Sequence, residues 1–450
     1  MTSTPIGKRA VVVGAGMAGL PAARALADSF EEVVVLERDC LPPHAAPRAG
    51  TPQARHTHAL LGGGQQALAD LFPGFEGDLA EAGGVLIRAG LDLRLERPGF
   101  DPFPQRDVGL LAYAMSRPLI EFAVRRRVEQ HTNITIREHC RARDLVAARR
   151  GGAVCAIRLE NDAGRSETLA ADLVVAASGR GSLTSAFLES IGWPWPDETM
   201  IGVDATYATT VFAVPDEAPA DWMGVLTFDS PDAGGRSGIV LPLEGNRWIV
   251  TLAGRHGEKP PDERDGFLAY AQQLRTPTIY NAIKDAEQLG KIARFGFPAS
   301  TRRHFEQLEE FPRGLLPFGD SVCRFNPVYG QGMSVAAQEA RLLHRLLQGW
   351  ANGSDALAGL ASAFFSEAST LIEAPWELAA LPDLAYPAAR GERPEDLEQR
   401  LAFSEALNYV AAEDPAVHKL LFEVLHLLKP RSALDNPDLI ERVKAVAAQM

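Results

Sequence analysis

Six residues near the start, Gly14-Ala15-Gly16-Met17-Ala18-Gly19, restrict the fold of this chain more than any other stretch. They follow an apolar run, Ala10-Val11-Val12-Val13, and precede an alanine-rich segment from Pro21 to Ser29, after which Val33 to Leu36 is a second β-branched run. That order predicts a βαβ unit with a parallel sheet. Gly14 allows the tight turn, Gly16 lets a pyrophosphate approach the backbone, and Gly19 lets helix and strand pack closely. The unpaired N–H groups and positive dipole end of the helix favour an anion there. Glu37 closes the second strand, where its carboxylate can accept bonds from both ribose hydroxyls and repel a ribose phosphate. The pair points to an adenine dinucleotide without separating FAD from NAD.

A chain of 450 residues exceeds one ordinary compact domain, so two units sharing an interface are expected. Its 45 Lys plus Arg against 58 Asp plus Glu give a net charge of −13, which argues against nucleic acid and anionic lipid as partners. The one basic run, Arg125-Arg126-Arg127, reads as a solvated helix face. Four cysteines, Cys40, Cys140, Cys155 and Cys323, have no metal or disulfide spacing. No secretory signal pattern and no long apolar window is evident, so a soluble, cytoplasmic protein without an integral membrane segment is expected.

Further along, a helix is expected near Gln65 to Leu71, strand-like alternation over Val85 to Leu95, and a long helix from Arg117 to Gln130. Strands are expected near Ile134–Ala147, Ala153–Leu159 and Leu169–Ala177, the last apolar enough to be a central parallel strand. From Gly202 to Gly254 the alternation reads as antiparallel hairpins turning at Glu244-Gly245-Asn246. Helices dominate after Gly330, including an amphipathic stretch with Leu420, Leu421, Val424, Leu427 and Leu428 on one face. The predicted class is α/β. A discontinuous Rossmann-like cofactor domain spans 1–75, 101–190 and 290–350, an antiparallel-sheet substrate domain 76–100 and 191–289, and a helical C-terminal region 351–450.

The second motif separates the two nucleotides. Leu315-Leu316-Pro317-Phe318-Gly319-Asp320-Ser321 ends a strand in Gly-Asp, and Asn326-Pro327-Val328-Tyr329-Gly330-Gln331-Gly332-Met333 opens a helix through a glycine-rich turn. Asp320 can bond ribityl hydroxyls, and the helix from Gly330 through Gly332 and Met333 aims N–H groups at a flavin pyrimidine edge, favouring the reduced anion. FAD, held non-covalently, is the expected cofactor.

With both motifs in view, the chain resembles the FAD-dependent monooxygenases of the aromatic-hydroxylase fold, close to those that hydroxylate or epoxidise natural products. The resemblance covers roughly the first 350 residues. It is carried by Val11 to Leu20 with Glu37-Arg38, by Ala171 to Ser182, and by Leu315 to Ala340. It implies that Arg48 lies near the flavin, that Arg117 contacts the FAD pyrophosphate, and that Pro327 lines the reactive face of the ring. It also implies oxygen transfer through a flavin C4a-hydroperoxide; Arg48 and His56 are the candidate catalytic side chains, and the large apolar residues of the hairpin sheet point to a small, largely apolar substrate. The family's middle motif usually reads Asp-Gly; here Ser178-Gly179-Arg180 stands in its place. That departure, with no second GxGxxG after a strand, leaves NAD(P)H to act either directly or through a separate flavin reductase.

The sheet residues Val203, Tyr207, Phe212, Trp248 and Ile249 are expected to be partly core and partly pocket wall. Arg55-His56-Thr57-His58 lacks the further ligands a metal needs, so no metal is expected and the histidines are structural or polar groups near the flavin. Trp193-Pro194-Trp195-Pro196 superficially resembles a flavin-halogenase motif, but no lysine occurs between Lys8 and Lys259, which argues for packing at a domain junction instead. A flavin reductase or dehydrogenase without oxygen insertion, or a non-catalytic FAD-binding scaffold, are the competing readings.

Overall fold

A computed structural model describes residues 5–148, 152–231, 234–349, 355 and 357–450. The boundary expected at 350/351 lies outside the described residues. The first βαβ unit forms as expected, with strand β1 (Gly7–Val13), helix α1 (Gly19–Ala27) and strand β2 (Phe30–Leu36). Five parallel strands lie in the order Ile134–Arg137, β2, β1, Leu173–Ala176, Leu315–Pro317. Val33 to Leu36 and Leu173 to Ala176 are buried throughout, because a parallel sheet is covered on both faces and needs apolar residues on each. Gly19 must be glycine, since a Cβ there would stand 1.8 Å from the Gly14 carbonyl oxygen.

Two expected strands prove to be pairs. The run Ile134–Ala147 breaks at Glu138-His139, where His139 has φ +55, and Cys140–Ala147 leaves for a three-stranded antiparallel meander with Val154–Asn161 and Ser166–Ala170. The run Leu169–Ala177 breaks at Asp172, whose carboxylate accepts the N–H groups of Lys8 and Arg9 at 2.7 and 2.9 Å. The alternation over Val85–Leu95 also divides: Val85–Arg88 pairs with Leu111–Ala114, while Leu93–Glu96 joins a different sheet. Asp92 forces that division by accepting the Arg88 N–H at 2.7 Å and binding its guanidinium, which closes a turn.

That other sheet has seven strands, in the order Cys323–Arg324, Ala293–Arg303, Glu198–Ala213, Arg247–Gly254, Ser237–Leu243, Gly224–Thr227, Leu93–Glu96. The expected hairpin turn is present, with Gly245 at φ +75 and Asn246 at φ +54. Strand Ala293–Arg303 was expected in the cofactor unit, yet it pairs antiparallel along most of Glu198–Ala213. We therefore propose that the return to the cofactor unit falls after Arg303.

The C-terminal helices are Leu360–Leu384, Leu397–Glu413, Pro415–Leu425 and Pro437–Ala447. The expected apolar face is shorter than the sequence suggests: the helix stops at Leu425, and Leu427, at φ +58, begins a strap across the body. Gly63 donates its N–H to the His426 carbonyl at 2.8 Å, and the Gln338 amide donates to Leu427 O at 2.9 Å. A Cβ on Gly63 would fall 2.2 Å from that Leu427 oxygen, so the Gly62-Gly63-Gly64 run serves close packing of the strap. The basic run is likewise corrected. Only Arg126 is exposed; Arg125 is buried and donates to the Pro42 carbonyl, and Arg127 pairs with Asp78.

Candidate active site

The fingerprint turn gathers residues from three segments. Ala15 donates its N–H to Glu37 Oε2 at 2.9 Å, and the other Glu37 oxygen accepts the Asp39 N–H at 3.0 Å. Glu37 is buried, and its first observable task is thus to hold the glycine turn against β2, leaving its remaining lone pairs for ribose hydroxyls. Arg38 is largely exposed beside it and approaches Asp39 at 3.8 Å. Arg48 comes to this turn and not to the substrate sheet. It meets Glu37 at 3.1 Å, Asp39 at 3.0 Å and Glu121 at 2.9 Å, and donates to the Ala15 carbonyl at 3.2 Å. All three of its nitrogens are thereby engaged, so the catalytic part expected for Arg48 finds no support in its position.

Arg117 is the opposite case. It heads the helix Arg117–Val128, whose Ser116 cap accepts the Leu119 N–H, and its side chain is buried. Its Nη2 reaches Glu121 at 3.3 Å, while Nε and Nη1 have no hydrogen-bond partner. Burial lowers its pKa, opposed by Glu121, because a guanidinium out of water is costly unless an anion compensates it. A Cβ on Gly16 would stand 3.9 Å from Nη2 of both Arg117 and Arg48. A cation with spare donors therefore faces the glycine that leads into the α1 N-terminus. A pyrophosphate supplies the missing acceptors, and the residues present fit the dinucleotide.

The second motif is tied to the first. Ser321 donates to the carbonyls of Ala176 and Gly179 at 3.0 and 2.9 Å, joining the Gly-Asp-Ser turn to the Ser178-Gly179-Arg180 loop. The Asp320 side chain is solvent-accessible although protein atoms crowd around it, and among the described residues its carboxylate accepts no hydrogen bond. Burial raises its pKa against the pull of Arg324, Arg117 and Arg303, and hydroxyl donors would suit it. Glu339, on the helix Gly332–Gly349, accepts the Gly319 N–H at 2.7 Å and fixes the turn from below. Burial pushes its carboxyl up to about 8, so it is protonated at neutral pH. Neither Ser321 nor Glu339 was singled out from the sequence, because their partners lie on other segments. Pro327 is exposed at the turn before Gly330, and Gly332 has open space around it. A Cβ on Gly330 would meet Ala59 at 3.0 Å, which puts the His56–Ala59 segment beside the flavin motif.

His56 is buried against Phe295, with ring centroids 5.6 Å apart, and its Nδ1 lies 2.7 Å from Thr209 Oγ1. Thr209, Thr251 and Thr57 continue as a chain of hydroxyls with 2.7 Å contacts. Burial lowers the His56 pKa to about 4 and that of His58 to about 3, so both are neutral imidazoles at pH 7. Neither belongs to a metal-ligand group. Among the described residues only Cys40, Glu138 and His139 form such a group, and all three are exposed. The expected wall residues divide by the strand period. Tyr207 points toward the cofactor side, on the same face as Thr209, while Phe212 and Trp248 pack with Phe267 and Trp222 on the far face and are core, not pocket. Trp195 stacks edge-on with Phe305 and donates to Glu198 at 3.0 Å, as the packing reading expects.

Comparison with known proteins agrees with this geometry. The model of the FAD binding domain family matches residues 8–364. A relative, Protein Rv3254 of Mycobacterium tuberculosis, is 34% identical over 409 residues, covering 85% of this chain and 81% of that protein. Similar solved structures include the flavin-dependent brominase Bmp2 (TM-score 0.69, 13% identity, 98% of each chain). The p-nitrophenol 4-monooxygenase PnpA of Pseudomonas putida DLL-E4 gives TM-score 0.66 at 17% identity, covering 93% of this chain and 98% of that one. PqsL, a probable FAD-dependent monooxygenase from Pseudomonas aeruginosa, gives 0.60 at 17% identity, covering 84% and 98%. At these identities the structures show a shared fold. With its fingerprint turn, its Gly-Asp turn and a family match over most of its length, the chain belongs to the FAD-binding-domain family and has the fold of the flavin-dependent aromatic hydroxylases.

Proposed function

We propose that this protein is an FAD-dependent monooxygenase that hydroxylates or epoxidises a small, largely apolar organic molecule of natural-product type. The observation that carries the reading is the buried, under-bonded Arg117 beside Gly16, together with a sheet wall on the far side of the flavin motif. Bound FAD supplies the electrons and the oxygen activation. The chain's own residues bind, orient and exclude water. Arg117 and the α1 N-terminus hold the diphosphate, Asp320 the ribityl chain, and the dipole of the Gly332–Gly349 helix steadies negative charge at the pyrimidine edge. His56 and the threonine chain offer an otherwise apolar wall one polar anchor. With a pKa near 4, His56 serves as a neutral hydrogen-bonding partner for a substrate oxygen more readily than as a strong base.

The test is product analysis under isotopically labelled dioxygen, with FAD-loaded protein, NADPH and a panel of phenols and alkenes. One labelled oxygen atom in the product supports the reading. In a parallel anaerobic reaction, NADPH consumption matched by unlabelled, reduced alkene, with hydride passing from NADPH through the flavin to the substrate, would make the protein a reductase. We further propose that NAD(P)H alone reduces the flavin slowly, because Ser178 replaces the usual aspartate and a transiently docked nicotinamide has few contacts to hold a reactive geometry. Stopped-flow reduction by NADPH with and without substrate checks this. Rapid reduction that substrate leaves unchanged would overturn it.

A further inference from the structure

The helix Leu360–Leu384 buries a carboxylate where helix energetics disfavour one. Asp383 is 1% exposed, lies in the last turn and follows Pro382. The negative end of the helix dipole repels an acid there, and burial adds desolvation. Such a residue persists only through its partners. Arg255, at the end of the sheet strand Arg247–Gly254, donates to Asp383 and lies over the Tyr386 ring at 4.8 Å. The Asn326 amide nitrogen donates to both Asp383 oxygens at 3.0 Å, and the Tyr329 hydroxyl donates at 2.7 Å.

Two of those partners belong to the flavin-facing turn. Asn326 is fully buried, and its Oδ1 accepts the Tyr207 hydroxyl at 2.8 Å and the Val328 N–H at 3.3 Å. Donors and acceptor of this amide are thus all specified, so its orientation is fixed. The backbone between Asn326 and Gly330 closes as a short 3-10 turn, with Gly330 donating to the Pro327 carbonyl at 3.0 Å. Pro327 is exposed, whereas Val328 and Tyr329 are partly buried, Val328 against the core and Tyr329 through its bond to Asp383. Three elements hold the inner side: the strand bearing Tyr207, the strand end bearing Arg255, and the C-terminal helix bearing Asp383. The matched family segment stops at residue 364, before Asp383.

We propose that Asp383 is a positioning residue of the cofactor site, which sets the Pro327–Gly330 turn through Asn326 and Tyr329 and so makes the C-terminal helix part of the flavin's environment. This rests on the FAD reading above. With Asp383 removed, the Asn326 amide and the Tyr329 hydroxyl lose their acceptor, Arg255 is left buried without its counter-charge, and the turn is free to shift against the ring.

The experiment compares wild type with Asp383→Ala, Asp383→Asn and Tyr329→Phe. It measures FAD affinity by titration of apoprotein, the visible absorbance and midpoint potential of bound FAD, and the unfolding temperature of the FAD-free protein. Phe422→Leu, in the separate C-terminal apolar cluster, serves as a destabilised control. Expected is FAD binding about tenfold or more weaker for Asp383→Ala, with Asp383→Asn intermediate because one acceptor oxygen remains. Tyr329→Phe, which keeps the ring and removes one bond, is expected to bind about threefold weaker. All three are expected to shift the absorbance and potential of bound flavin, while Phe422→Leu lowers the unfolding temperature and leaves both unchanged. If Asp383→Ala does not fold, Tyr329→Phe decides by itself. Unfolding temperatures that fall while affinity, absorbance and potential stay at wild-type values would reduce Asp383 to a structural residue. A wild type that takes up no FAD would overturn the underlying reading and this inference with it.

Discussion

The two ends of the candidate site are built on opposite electrostatic plans. At the fingerprint turn a buried guanidinium, Arg117, keeps two nitrogens without partners, and Asp320 offers a carboxylate that no side chain or backbone group occupies. At the sheet end nearly every polar group is already spoken for: His56 by Thr209, Asn326 by Tyr207 and Asp383, Arg255 by Asp383. Unsatisfied buried donors are costly to the apoprotein and strengthen ligand binding, whereas a satisfied network fixes shape without calling for a ligand. The first end is made to receive charge. The second is made to hold its form.

The largest expected effect breaks that contrast at its charged end. Arg117→Met should weaken FAD binding by about a hundredfold or more, yet leave the FAD-free protein equally or more stable, because a buried charge met only by Glu121, with two nitrogens unpartnered, is replaced by apolar volume. Gly16→Val should abolish the flavin colour by filling the approach to the backbone. Calorimetry and FAD titration on the same samples check both, and an apoprotein clearly destabilised by Arg117→Met would show that the Glu121 pair outweighs the desolvation of the guanidinium.

Next comes Glu339, whose folded-state pKa of about 8 lies above its ordinary 4.5. The folded protein therefore binds more protons than the unfolded chain between those values, and this group's contribution to stability falls as pH rises from about 4.5 to 8. Glu339→Gln, the isostere of the protonated form, should remove that slope. Unfolding measured from pH 5 to 8 should show the variant gaining on wild type by up to a few kcal/mol, and parallel curves would mean that Glu339 is ionised in the fold.

Smaller still is a difference between two carboxylates of the cofactor site. Glu37→Ala and Asp320→Ala should each cost about 1–3 kcal/mol of FAD binding, through lost charge-assisted hydroxyl bonds. Only Glu37→Ala should also destabilise the apoprotein, since Glu37 holds Ala15 and Asp39 while Asp320 holds nothing. Equal apoprotein stabilities would erase that distinction. The smallest change is expected from Thr209→Val, an isostere that removes the His56 partner and costs about 1 kcal/mol of stability, read from denaturant midpoints. No change at all would mean that water replaces the hydroxyl.

Legibility in the sequence followed the range of the interactions. The glycine fingerprint and the Gly-Asp turn could be read because each is a short segment whose backbone task is written in consecutive residues. The hairpin at Glu244-Gly245-Asn246 was readable for the same reason, since left-handed backbone favours Gly and Asn. The strands that divided at His139 and Asp172 were not. Their breaks come from one side chain meeting backbone, as where Asp172 caps β1 more than 160 positions away in sequence.

What the sequence by itself determined is the cofactor unit and its nucleotide, because tight turns, helix N-termini and strand periodicity are local consequences of residue type. Only the tertiary structure decided that Arg48 is consumed by three carboxylates while Arg117 is not, that Glu339 steadies the Gly-Asp turn, and that Asp383 reaches Asn326 from a distant helix. Whether a charged side chain is free or spent depends on which partners folding brings within about 3 Å of it, and partners far apart in the chain leave no periodic or local trace.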